Sequence, residues 1–152
     1  MVRKIMGVIA GYVEMIAFVF ISFSVLYLIL GPEGSFEAGT YEVSPVWIAM
    51  SIILGLIAAV LGGYVCTLIA RSKKPAIVLV GVVWMLSIIM AIPSLGAAEE
   101  ELIKKRSFDV SNGEAMQNAK QPVALLLLNS FIGALGVLGG SKLHKSKNEE
   151  SG

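Results

Sequence analysis

The chain has 152 residues, the size of a single domain, of which 56% are apolar and only 15% charged. Together with a mean hydropathy of +0.80, that balance excludes an ordinary soluble domain and fits an integral membrane protein. A formal net charge of +1 gives no reason to expect nucleic acid as a partner, and a single cysteine, Cys66, excludes an internal disulfide.

The first apolar segment runs from Ile5 to Leu30, 26 residues behind the basic pair Arg3-Lys4. A secretory signal has an apolar stretch of about 7–15 residues followed by a small-x-small cleavage site. This run is longer and no such site precedes Gly31, so a retained transmembrane helix is expected. About 20 residues at ~1.5 Å each cross a ~30 Å hydrocarbon core. Gly31-Pro32-Glu33-Gly34-Ser35 is expected to break that helix, because Pro and Gly do not continue it cheaply. The loop to Val43 holds Glu33, Glu37 and Glu42 and no Lys or Arg.

Ser44-Pro45 predicts a second helix, Pro45 to Ala70, with Ser as N-cap and Pro at the first helical position, where its missing N–H costs nothing. Trp47 and Tyr41 fit an interfacial aromatic anchor. From Ser51 to Ala70 the helix has twenty residues without a charge. Along it Ser51, Gly55, Ala59, Gly63 and Thr67 recur every four residues, and Gly62, Cys66 and Ala70 widen the small-residue stripe on one flank. Such a groove suits close packing of another helix. Gly7 and Gly11 of the first helix, and Gly136 and Gly140 of the last, are expected to serve the same purpose.

Arg71-Ser72-Lys73-Lys74-Pro75 forms a basic turn. A third segment, Ala76 to Ile92, is 17 residues, near the short limit for a span, and is expected to end at Pro93. The stretch 93–121 is polar. Glu99-Glu100-Glu101 before Lys104-Lys105-Arg106 predicts a short surface helix with i, i+4 ion pairs. Ser111-x-x-Glu114 reads as a capping box opening a second one. Pro122 starts the fourth span, which ends near Ser141 before a cytoplasmic tail, 142–152. The expected fold is an all-α bundle of four transmembrane helices with a helical outer loop.

Orientation follows from the basic residues. With the N-terminus inside, the inner segments hold eight Lys and Arg (Arg3, Lys4, Arg71, Lys73, Lys74, Lys142, Lys145, Lys147) and the outer loops four (Lys104, Lys105, Arg106, Lys120). Both termini are therefore expected in the cytoplasm. Val60-Leu61-Gly62-Gly63 recurs as Val137-Leu138-Gly139-Gly140. The first copy is expected several residues deeper in its helix than the second, which argues against two duplicated hairpins.

Glu14 lies about nine residues into the first span, ~14 Å at the standard rise and so near mid-membrane. An ionised carboxylate there is costly, so Glu14 is expected to be protonated and to face the protein interior, with Tyr64 and Thr67 as hydrogen-bond partners. It reads either as an interhelical strut or subunit contact, or as a proton or cation site of a transporter. Without a second acid, a His or a broken helix beside it, the strut is preferred. Ser24, Ser51, Ser87 and Asn129 form a polar layer toward the outer side, read as packing because serine hydroxyls often bond their own helix.

Catalytic and metal chemistry find little support. His144 is the only histidine and lies in the charged tail, so no His-based metal site or triad is expected in the membrane. Glu100-Glu101 resembles in part the paired glutamates of intramembrane CAAX-type proteases, but Lys105 stands where that motif has Arg, and the histidines are missing. Gly139-Gly140-Ser141 has no base, and Cys66 has no basic neighbour. No cofactor is expected.

By its span pattern, its Gly62-Gly63-Tyr64 run into Arg71 and its Gly-rich last helix, the chain resembles the small four-span inner-membrane proteins of bacteria. That resemblance implies location and fold, and brings no activity with it. The expected function is that of a non-enzymatic membrane protein, an accessory or assembly subunit or a homo-oligomer, with the lipid bilayer and another membrane subunit as partners. The alternative is a small transporter or channel that uses Glu14.

Overall fold

The computed structural model describes residues 1–96 and 110–143. They are helical and contain no named strand. The helices are α1 (Val2–Ser35), α2 (Pro45–Ala70), α3 (Lys74–Gly96), α4 (Asn112–Asn118) and α5 (Val123–Leu143). Three of them are long and apolar enough to cross a membrane: α1, α2, and α5 over Ala124–Leu143. The apolar stretch of α3, Lys74–Ile89, is shorter. The expected surface helix at Glu99–Arg106 and the tail beyond Leu143, with His144, lie outside the described residues.

The chain's punctuation acts where its chemistry directs. α1 is interrupted at Gly31, with φ 63° and ψ −179°. That conformation is essentially closed to a residue with a Cβ, so the regular helix ends at Leu30. Pro32 then opens one more turn, closed by the Phe36 N–H donating to the Pro32 carbonyl at 3.1 Å. Ser44 caps α2, its Oγ accepting from the Trp47 N–H at 3.1 Å and donating to the Gly34 carbonyl at 2.6 Å. One hydroxyl thus ends one helix and starts the next.

α3 departs from expectation at both ends. It begins at Lys74 and runs through Pro93 to Gly96, so Pro93 does not end it. In α4, Ser111 caps as predicted, its Oγ accepting from the Glu114 N–H at 3.3 Å. The Glu114 carboxylate does not complete the capping box; it accepts instead from the Tyr41 hydroxyl at 2.7 Å.

α2 lies between α1 and α5. α3 packs mainly on α5, where Trp84 meets Phe131 edge to face with centroids 6.1 Å apart. Among the described residues α1 and α5 do not pack against each other. At one end of the bundle α3 closes on α1 and α2 through a cluster of Ala59, Cys66, Ala76, Leu79 and Val137, flanked by Val8, Tyr12 and Met15.

At the other end the two connections form one cap. Leu26, Tyr27, Phe36, Tyr41, Val43, Trp47, Val110 and Ala115 make a second buried cluster. Backbone bonds lace it: the Val43 N–H donates to the Lys120 carbonyl (3.2 Å) and the Lys120 N–H to the Tyr41 carbonyl (2.9 Å). Across 83 residues of sequence, the Tyr27 hydroxyl donates to the buried Val110 carbonyl at 2.6 Å. Tyr27→Phe leaves that carbonyl unpaired, at about 1–3 kcal/mol. Amide hydrogen exchange over 110–120 should therefore quicken while the spans stay protected; unchanged exchange in the cap would show that the bond does not hold it.

Candidate functional site

Two close helix seams and one cleft are the features of the bundle that bear on function. In the α1–α2 seam, a methyl on Gly7 would lie 2.7 Å from the Cys66 carbonyl oxygen and 2.8 Å from Ala70 Cβ. One on Gly11 would lie 2.6 Å from the Gly62 carbonyl oxygen. Gly62 is in turn covered by the Met15 side chain. Backbones this close leave no room for side chains, which is how small residues stabilise helix pairs in lipid.

The α2–α5 seam is tighter and has an internal symmetry. A methyl on Gly63 would overlap the backbone of Val137, and one on Gly140 would overlap the backbone of Val60. Each glycine therefore faces the residue three positions before the other glycine, and the two Val-Leu-Gly-Gly copies lie side by side at one level. This corrects the expectation that they sit at different depths. Counted from the prolines that open the segments, Pro45 and Pro122, both valines are 15 residues in (60 minus 45, 137 minus 122). That shared spacing was the legible signal, and counting from the inner helix ends hides it. Gly136 extends the seam: a methyl there would lie 2.6 Å from Ala59 Cβ.

The copies differ in what lies behind them. Gly62 packs on α1, whereas a methyl on its counterpart Gly139 would meet nothing within 4 Å. Gly55, placed in the small-residue stripe by its spacing, also faces open space. Ser51 is buried, its hydroxyl donating to the Ile48 carbonyl at 2.8 Å, and buried Thr67 donates to Gly63 at 2.9 Å. Ser141 donates to the Leu138 carbonyl at 2.7 Å.

The cleft lies where α1 and α5 stand apart. Its volume is about 670 Å³ and it is open on one side. α1 supplies Tyr12 to Phe23, α3 supplies Val83, Leu86 and Ser87, and Leu126 and Asn129 come from α5. Trp47, Ala119 and Gln121 roof it at the cap. Ser87 is bonded to its own helix at Val83 (2.8 Å). Ser24 Oγ and Trp47 Nε1 are buried without a hydrogen-bond partner.

The expected polar cluster does not assemble. Glu14 is half-buried, and its Oε2 is enclosed without a hydrogen-bond partner. It is not part of the cleft wall, whereas Asn129 is. Tyr64 is 36% exposed on the outside of α2, and the Thr67 hydroxyl is engaged with its own helix. Glu14 sits at the edge of the α1–α2 seam, one turn beyond Gly11, with Ala17 and Ile21 exposed on its flank. No family model matches this chain, and no curated protein or solved structure is similar to it.

Proposed function

We propose that the chain is a four-span, non-enzymatic membrane protein, both termini cytoplasmic, that serves as an accessory or assembly subunit or as a homo-oligomer. The four-span reading is supported by the cap. Residues 110–122 are bonded to the loop between α1 and α2, whereas α2 ends at Ala70 at the other end of the bundle. The chain between them has to return along the full length of α2, and 23 helical residues in α3 reach ~34 Å, enough for the ~30 Å core. The basic residues at Arg3, Lys4, Arg71, Lys73, Lys74 and Lys142 gather at the end expected inside.

The assembly reading is carried by Gly139. It repeats, on α5, the position through which α2 receives α1, yet nothing among the described residues covers it. α1 adds to the argument: it is the least enclosed of the three long spans, and it carries the mid-membrane carboxyl. A mid-membrane carboxyl oxygen with no hydrogen-bond partner among the described residues is suited to bonding a neighbouring subunit. Transport through Glu14 would need that carboxyl on a wet path, and Glu14 lies outside the cleft.

Extraction from native membranes in a mild detergent, followed by native mass measurement, tests this reading. The parent is expected to carry a second chain, its own or another. Gly139→Leu is expected to lose that chain while keeping the parent's melting temperature. A parent that emerges as a bare monomer contradicts the proposal, as does a Gly139→Leu variant that retains its companion.

A further inference from the structure

We propose that the cleft bounded by α1, α3 and α5 holds one acyl chain of an outer-leaflet glycerophospholipid, entering sideways from the bilayer. The length of the cleft points to that occupant. Its α1 wall runs from Tyr12 to Phe23, eleven steps of ~1.5 Å or about 16 Å, half of a ~30 Å hydrocarbon core and so the depth of one leaflet. It ends below where α3 closes on α1 at Leu79, which is 3.1 Å from where a methyl on Gly11 would stand. It ends above under Trp47, which is buried in the cap. A spanning protein's side opening at that depth meets hydrocarbon chains and nothing else in abundance.

The lining has the polarity of an amphiphile. Ile16, Val19, Phe20, Phe23 and Leu86 give an apolar wall, while Gln121 and Asn129 bring amides toward the roof. Among the described residues no charged side chain lines it, so the polar end is suited to uncharged hydrogen bonding, as an ester carbonyl offers, rather than to an ionic headgroup. At about 670 Å³ the space lies within the 300–1,000 Å³ range of small-molecule sites.

Tryptophan emission reads this directly, because the chain has only Trp47 and Trp84. Trp84 is 43% exposed on α3 and Trp47 only 7%. The full chain is reconstituted in vesicles of phosphatidylcholine carrying bromine at mid-chain. Trp84→Phe isolates Trp47, and Trp47→Phe isolates Trp84. Despite its burial, Trp47 is expected to lose as large a fraction of its emission as Trp84. Val19→Phe, which fills the cleft, should relieve the quenching of Trp47 alone. Should that variant not fold, native mass of the parent decides: one phospholipid retained per chain supports the proposal. Unquenched Trp47 overturns it, as does a cysteine crosslink from Phe20→Cys to a second copy of the chain, which would place a protein there.

Discussion

Alanine in place of Gly63 or Gly140 is expected to unfold the bundle more effectively than any other single-methyl addition. At both positions the new methyl would overlap the facing backbone, Val137 or Val60. A side chain can swing away from such an overlap, whereas a carbonyl held in a helix ladder moves only with its helix. Overpacking costs about 1–3 kcal/mol, and these sites belong at the top of that range because both neighbours are rigid. Parting the two helices would also sacrifice the dispersion contacts that hold helices together in lipid, where no hydrophobic force substitutes for them. Gly55→Ala and Gly139→Ala add the same methyl into open space. They should be neutral or gain up to ~1 kcal/mol from helix propensity. Denaturation in mixed micelles separates the two pairs; equal behaviour of all four variants would show that α2 and α5 do not approach as described.

Trp47→Ala is the second large effect. Trp47 is 7% exposed and stands where α1, α2 and the cap meet. Phe23 packs against it edge to face at 5.5 Å between centroids, and Tyr27 at 6.5 Å. Truncating a buried aromatic of this size costs about 3–5 kcal/mol through lost contacts and the cavity left behind. The loss should spread into the cap, since Tyr27 and Phe36 share the cluster. A fall in melting temperature with faster exchange at 110–120 is the expected result. A variant as stable as the parent would place Trp47 at the lipid interface rather than in the core. Trp47→Phe keeps most of the contacts and should fold.

What could be read from the residues alone follows from how local each signal is. Gly31, Ser44-Pro45 and Ser111 act within a turn of themselves, so the breaks and caps were legible. The long apolar runs of α1, α2 and α5 needed only length and composition. Pro93 misled, because an apolar helix carries its backbone bonds past a proline that would end a water-exposed one. Small residues at four-residue spacing do not say which members meet a neighbour: Gly63 does and Gly55 does not. The cap was invisible, since its bonds join residues up to 83 apart, and the pattern of Tyr27 with Val110 leaves no local trace. The cleft was equally hidden, because it exists only where two helices fail to touch. Glu14 is conspicuous by its cost, but a partner on another chain leaves no mark in this one.

The most direct test of the account is the sidedness of two residues on either end of α3. In a Cys66→Ala background, Ser72→Cys and Gly113→Cys each provide one thiol, in the basic turn and in α4 respectively. A membrane-impermeant maleimide is applied to intact cells and to inverted vesicles. The four-span arrangement predicts that Gly113→Cys labels from outside only and Ser72→Cys from inside only. Labelling of both from the same side would mean that α3 does not cross, and would contradict the bundle on which the assembly and lipid readings rest.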